Sequence, residues 1–234
     1  AITAALNRDL PPPLQTAAAS PAFSFEVHAR YNPEQLTVLN IVPGLIGIVL
    51  TISTLFITTL SITRERERGT MENLLAMPVR PIEVMLAKIV PYVVIGYVQA
   101  ALIMAVAAAV FGLPLRGSLL LLILALGLFI ASNLALGLTF STIATNQMQA
   151  IQMAQFTLLP SFLLSGFMFP FKGMPVWAQW AGEIFPVTHI LRIVRGILLK
   201  GNSFAEIAPE LWPIAVFTLA IALVATWSYR ETLD

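Results

Sequence analysis

Four stretches without a single Asp, Glu, Lys or Arg constrain what this chain can fold into: residues 35–63, 89–115, 117–171 and 211–229. A helix needs roughly 20 apolar residues to cross the ~30 Å hydrocarbon core of a bilayer. The run at 117–171 is long enough for two crossings with a break between them. "STIATNQMQ", residues 141–149, supplies that break, because clustered Ser, Thr, Asn and Gln mark a turn at the membrane surface. The pattern predicts an all-α polytopic membrane protein with five visible transmembrane helices, near 38–62, 89–111, 118–141, 149–169 and 209–229. The competing reading is the buried core of a soluble domain. It fits poorly, since charged residues make up 11% of the chain against roughly 25% in soluble domains.

Residues 1–36 read differently from the transmembrane domain expected over 37–230. Pro11–Pro13 and the Ala/Ser/Pro-rich 16–22 suggest an extended linker. "FSFEVHARYNP" then alternates as a strand does, with Phe23, Phe25, Val27 and Ala29 on one face. The expectation is the end of a water-exposed, extracytoplasmic domain entering the membrane. With no initiator Met and no signal peptide, the sequence is read as a fragment that lacks its beginning.

Composition excludes several function classes. The chain has no cysteine, so thiolate metal sites are out. A net charge of +1 and the lack of a basic patch with interleaved aromatics give no support to nucleic-acid binding. An intramembrane enzyme needs a nucleophile with a base, or a metal cluster. The two histidines, His28 and His189, lie far apart, His189 has no carboxylate within one helical turn, and neither His-Glu-x-x-His nor Gly-x-Ser-x-Gly occurs. No catalytic or metal-ligating residue is assigned. An ion-coupled secondary transporter usually places ionisable residues inside its spans, and the four runs have none. A phosphate loop is also missing, so ATP-driven transport requires the ATPase in a partner.

The charge that exists is concentrated. "TRERERGTMENLLAMPVRPIEVMLAK", residues 63–88, holds five Lys/Arg and four Glu, between two membrane-length runs. Gly69-Thr70 can end one helix and start another. Thr70 is a plausible N-cap, and Glu72 in the first turn complements the helix dipole. Met71, Leu74 and Leu75 form one apolar face, Pro78 stops the helix, and Pro81 begins the next at its first position. The result is a short amphipathic helix near 69–78, at the membrane surface. The alternative is a plain interfacial loop obeying positive-inside statistics.

Polar residues within the spans are candidates for a pathway. Thr51, Thr54, Thr58 and Ser61 form a hydroxyl stripe in the first span. Gln149, Gln152 and Gln155 recur at the start of the fourth. Asn133 aligns with Gly137 and Ser141 in the third, and Gln99 sits in the second. Helix–helix packing is the competing account of each, since Ser, Thr, Gly and Gln mediate close contacts in membranes. The segment 170–207 is too apolar for a free loop and is cut by Pro170, Pro175 and Pro186. It predicts two outer re-entrant helices near 172–200, with Trp177, Trp180 and Phe185 in an aromatic belt. His189, Arg192 and Arg195 are expected to snorkel to head groups.

"RERERGTMENLLAMPVRPIEVMLAK" resembles the first cytoplasmic loop of the type-2 ATP-binding-cassette (ABC) exporter permeases. The family pattern falls on Glu65, Arg66, Glu67, Arg68, Gly69, Thr70, Glu72, Leu74, Leu75, Pro78 and Val79. "YNPEQLTVLNIVPGLIGIVL" is similar to the family's entry into its second span, and "LLSGFMFPFKGMPVWAQWAGEIFPVTHILRIVRGILLKG" to its outer loop after the fifth. The likeness covers roughly residues 25–230. Six spans are the family's number, and five are visible here.

The resemblance implies a function. Residues 69–78 become the coupling helix, with Arg66, Glu67, Arg68, Gly69, Thr70, Glu72, Leu74, Leu75 and Pro78 meeting a separate ATPase subunit that binds ATP and Mg. It implies a transmembrane subunit without its own ATPase site, paired with a second permease subunit, identical or related. The setting is a bacterial cytoplasmic (inner) membrane, with the chain contacting lipid and a transported cargo. Outer helices would close the pathway, with Phe167, Phe169 and Phe171 in the "GFMFPF" turn as gate candidates. The dense cluster at 64–88 places that side in the cytoplasm, with the N-terminal end outside and the C-terminus inside.

Overall fold

The structure, a computed structural model, describes residues 37–69 and 81–231. Among these are seven α-helices and no strand: α1 Thr37–Glu67, α2 Pro81–Phe111, α3 Leu119–Ile143, α4 Gln147–Leu164, α5 Val176–Glu183, α6 Pro186–Arg195 and α7 Phe204–Glu231. A π-helical turn, Gly196–Lys200, prolongs α6. The strand expected at 23–30 and most of the amphipathic helix expected at 69–78 lie outside the described residues.

The helix starts follow from local chemistry. Ser118 caps α3 by accepting from the Leu121 N–H. Asn146 caps α4 by accepting from the Gln149 N–H at 2.8 Å. Pro186 opens α6 at its first turn, where a missing N–H is harmless. At the other end of α1, Gly69 adopts a φ of 68°, a left-handed conformation that only glycine takes without cost. Gly69 therefore stops α1 and turns the chain into the charged segment, as the sequence suggests.

Among the described residues, four helices are long and apolar enough to cross a membrane: α1, α2, α3 and α7. The fourth expected crossing, 149–169, differs from the sequence reading. Its helix runs Gln147–Leu164, 18 residues or about 27 Å. Gln147, Gln149, Gln152 and Gln155 dilute its apolar character. α1 has the opposite property. Its 31 residues extend about 46 Å, more than a ~30 Å hydrocarbon core needs, and Arg64 to Glu67 stand at its C-terminal end.

α1 and α3 form the centre and run in the same direction. Thr58 meets Gly137, and one turn further the Ser141 hydroxyl accepts from the Ile62 N–H at 2.9 Å and the Thr63 N–H at 3.2 Å. A Cβ on Gly137 would sit 2.6 Å from Thr58 Oγ1 and 3.0 Å from the Leu55 carbonyl oxygen. The missing side chain lets the two backbones approach, and such close packing is what associates helices where lipid removes the hydrophobic drive. α1 also packs against α2, α4 and α6, while α7 packs against α3 and α6. Phe129, Ile46, Leu50, Leu122, Ile190, Ile193 and Ile207 fill the centre. α6 is interior: every residue from Pro186 to Val194 except Arg192 is buried. α5 carries Trp177 and Trp180 exposed, while Phe185, expected with them in an aromatic belt, packs against the core.

Candidate functional site

At the charged end of the bundle, the last residue of α1 grips the first of α4. The Glu67 carboxylate accepts from the Gln147 backbone N–H at 2.6 Å and from the Gln147 side-chain amide. Those two hydrogen bonds hold the Glu67 pKa below the ordinary carboxylate value. Gln149 turns back over the same corner, accepting from the Thr145 N–H and hydroxyl, both at 2.8 Å. The end of α1 is thus fastened to the α3–α4 turn beside the point where Gly69 releases the chain into the charged segment. Of the expected coupling residues, Glu67, Arg68 and Gly69 are exposed here. The side chain of Arg66, and Thr70, Glu72, Leu74, Leu75 and Pro78, lie outside the described residues.

The pathway candidates divide. Thr51, Thr54 and Thr58 are buried, and each hydroxyl donates to the carbonyl one turn earlier in its own helix: Thr51 to Gly47, Thr54 to Leu50 and Thr58 to Thr54. Asn133 is also buried, donating to the Phe129 carbonyl at 3.2 Å. Gln99 joins two helices by accepting from Ser53 Oγ at 2.5 Å. These residues lie inside the subunit. Gln149, Gln152 and Gln155 do not. They share one exposed face of α4 with Met148, Phe156, Leu159 and Leu163.

The three phenylalanines of the outer turn do not form one cluster. Phe167 rests on α1 where Gly44 leaves room, since a Cβ there would come within 2.5 Å of its ring, and it tilts against Phe162 with centroids 5.4 Å apart. Phe169 is exposed. Phe171 lies beneath the Arg192 guanidinium, 4.5 Å from ring centroid to Cζ.

That arginine belongs to a cluster the sequence reading missed. His189 is 4% exposed. Its Nδ1 lies 2.6 Å from Glu210 Oε2 and its Nε2 2.9 Å from the Glu183 carbonyl oxygen. Arg192 donates to Glu183 at 2.6 and 3.1 Å and to Glu210 at 3.2 and 3.3 Å. Both imidazole nitrogens face acceptors, the arrangement of a protonated ring. Burial opposes that charge, but the bonds and charges of Glu210 and Glu183 outweigh it and raise the His189 pKa. The expectation that His189 and Arg192 snorkel to head groups is therefore replaced: they are neutralised by α5 and α7. Arg195 points inward too. Burial lowers its pKa, and its Nη1 donates to the Gly166 carbonyl at 3.4 Å. The sequence signal was Glu210, standing just before the charge-free run of α7.

Comparisons with known proteins agree with this architecture. The family model for ABC-2 type transporters matches residues 18–199. The chain is 32% identical over 201 residues to the probable multidrug ABC transporter permease YbhR of Escherichia coli strain K12, covering 86% of this chain and 55% of that protein. It is 38% identical over 180 residues to the probable multidrug ABC transporter permease YbhS, covering 76% and 48%. It is 30% identical over 222 residues to the inner membrane transport permease YhhJ, covering 92% and 58%; both also come from strain K12. The chain spans about half the length of these relatives. A polytopic all-α chain, matched over most of its length and carrying the charged loop between its first two described helices, belongs to the ABC-2 type transporter family.

Proposed function

We propose that this chain forms the membrane-spanning part of an ATP-driven exporter and receives its power stroke through residues 66–78. ATP and Mg are handled by a separate ABC ATPase subunit, and a second permease, identical or related, completes the pathway. The relatives' names as permeases support transport, and YhhJ's name as an inner membrane transport permease supports an inner-membrane setting. In this reading α4 also crosses the membrane, as the fourth of five crossings, and the charged end with the C-terminus is cytoplasmic.

The observation that carries the proposal is the Glu67–Gln147 link. A push on the segment after Gly69 reaches α1 first. The same link passes it to α4, the helix whose exposed face mixes glutamines with Phe156 and Leu159. That face suits an amphipathic cargo, being able to offer hydrogen bonds and apolar contact together. Thr51, Thr54, Thr58 and Asn133 act as packing within the subunit.

The test is co-purification of the ATPase and its turnover in lipid. Glu72→Lys reverses a charge at the docking rim, and Leu75→Asp puts a carboxylate into an apolar groove, costing several kcal/mol. Each is expected to abolish cargo-stimulated ATP hydrolysis in a permease that remains folded. Normal assembly and coupling in both variants would overturn the coupling role. A plain interfacial loop would tolerate Glu72→Lys, which adds positive charge on the side that favours it.

A further inference from the structure

At the end of the bundle opposite Glu67, a groove runs between α3 and α7. Leu121, Leu124, Ala125 and Leu128 form one wall; Phe204, Ile207, Ala208, Leu211, Trp212 and Ala215 form the other. Its volume is about 450 Å³, and every lining residue is apolar. The groove exists because small side chains alternate with large ones. Ala125 and Ile207 form a fully buried floor, while Leu124, Phe204 and Trp212 stand exposed at 60% or more along the rims.

Three features identify the occupant. Both walls belong to helices long and apolar enough to cross a membrane, so the rims face hydrocarbon rather than water. From Phe204 to Ala215 the groove spans about 16 Å of helix, the depth of one leaflet of a ~30 Å core. Two cations stand at its head. Arg116 lies two residues before the cap of α3, held against the π-helical turn by its N–H on the Leu198 carbonyl at 3.3 Å. Lys200 is the last residue of that turn, four positions before α7 begins. Glu206 feels the charge of Lys200, and its Oε2 accepts from the Ser203 N–H and hydroxyl at 2.7 and 3.0 Å. Arg116, Lys200 and Glu206 together leave one positive charge over among these described residues.

We propose that this groove holds one acyl chain of an anionic phospholipid, whose phosphate is met by Arg116 and Lys200. The site lies outside the pathway assigned to α4 and outside the charged loop. It stands whether or not the transport reading does. It makes the contact between α3 and α7 partly lipid-mediated, so the lipid acts as a bound component with a fixed place.

The experiment uses the complete protein in vesicles of phosphatidylethanolamine with a minor fraction of phosphatidylglycerol bearing a photoreactive acyl chain. Adducts are mapped by mass spectrometry. Labelling is expected to concentrate several-fold on Leu124, Ala208 and Trp212 relative to Val98 of α2, which is 61% exposed and serves as the reference lipid-facing position. Arg116→Gln and Lys200→Gln should each lower the preference for phosphatidylglycerol over phosphatidylethanolamine about five-fold, the effect of ~1 kcal/mol per basic residue at a membrane surface. Equal labelling at the groove and at Val98 overturns the site. Unchanged lipid preference in both charge variants overturns the anionic head group. A Leu124→Cys chain that cross-links efficiently to a second copy would show that the groove is a subunit contact, which also overturns the proposal. The rim residue Leu124 and the surface pair Arg116 and Lys200 are chosen because changing them leaves the buried floor intact.

Discussion

His189 Nδ1 stands 2.6 Å from Glu210 Oε2, joining the interior helix α6 to the first turns of α7. Arg192 stands beside the pair and contacts both Glu210 and Glu183. Four formal charges cancel only while the imidazole is protonated.

A pH dependence follows. A histidine whose pKa rises on folding contributes stability that is complete below its unfolded value of about 6.5. That stability is lost as pH rises through the folded value. The purified protein should therefore melt at a lower temperature as pH is raised above neutrality, and His189→Gln should flatten that part of the profile. Glu210→Gln should destabilise by about 1.5–3 kcal/mol, the range for hydrogen bonds to charged groups. Thermal unfolding in detergent between pH 6 and 9 reads both; a wild-type profile that is flat, or rises with pH, would count against the ionic role.

Gly137→Ala places a methyl group against Thr58 Oγ1 and the Leu55 carbonyl. Overpacking of this kind costs about 1–3 kcal/mol. Thr58→Ala in the same chain should recover part of the loss, because the two sites share one contact. Equal melting temperatures for the wild type and Gly137→Ala would show that the approach of α1 and α3 is looser than described.

Cysteine scanning starts from a cysteine-free background. Gln152→Cys and Gln155→Cys, on the exposed face of α4, should react with water-soluble thiol reagents in at least one ATPase state. Thr54→Cys and Thr58→Cys should stay protected in all of them. The reverse pattern would move the pathway from α4 to the α1–α3 contact.

Glu67→Ala should lower cargo-stimulated turnover, because it cuts the link to Gln147. Gln147→Ala should give the same phenotype through its side-chain contact, more weakly because the backbone N–H remains. Full coupling in Glu67→Ala would mean that α1 and α4 are driven separately.

The sequence made the helices legible and left their faces ambiguous. Charge-free runs located α1, α2, α3 and α7, because lipid tolerates little else over that length. Gly69 was readable as a stop because only glycine adopts its φ cheaply. The Thr51–Thr58 stripe was readable as a face, yet period alone does not say whether a face meets water, lipid or a neighbouring helix. Gly137 decided it by admitting Thr58. The outer quartet escaped because its members are separated in sequence. His189 and Glu210 are 21 positions apart, and no helical period brings them together. Packing of α6 against α7 does.

The length of α1 carries a mechanical consequence. Glu67 and Gly44 lie on one continuous helix, roughly 35 Å apart. Gly44 supports Phe167 at the far end, and Pro43 removes a backbone hydrogen bond beside it. α1 is therefore a lever with its one weak joint next to the outer turn. A bend of ~10° at that joint would sweep the charged end by about 6 Å over such an arm. Movement of the charged end is thereby taken up at Pro43, beside the ring of Phe167, and the packed middle of the helix travels as one rod.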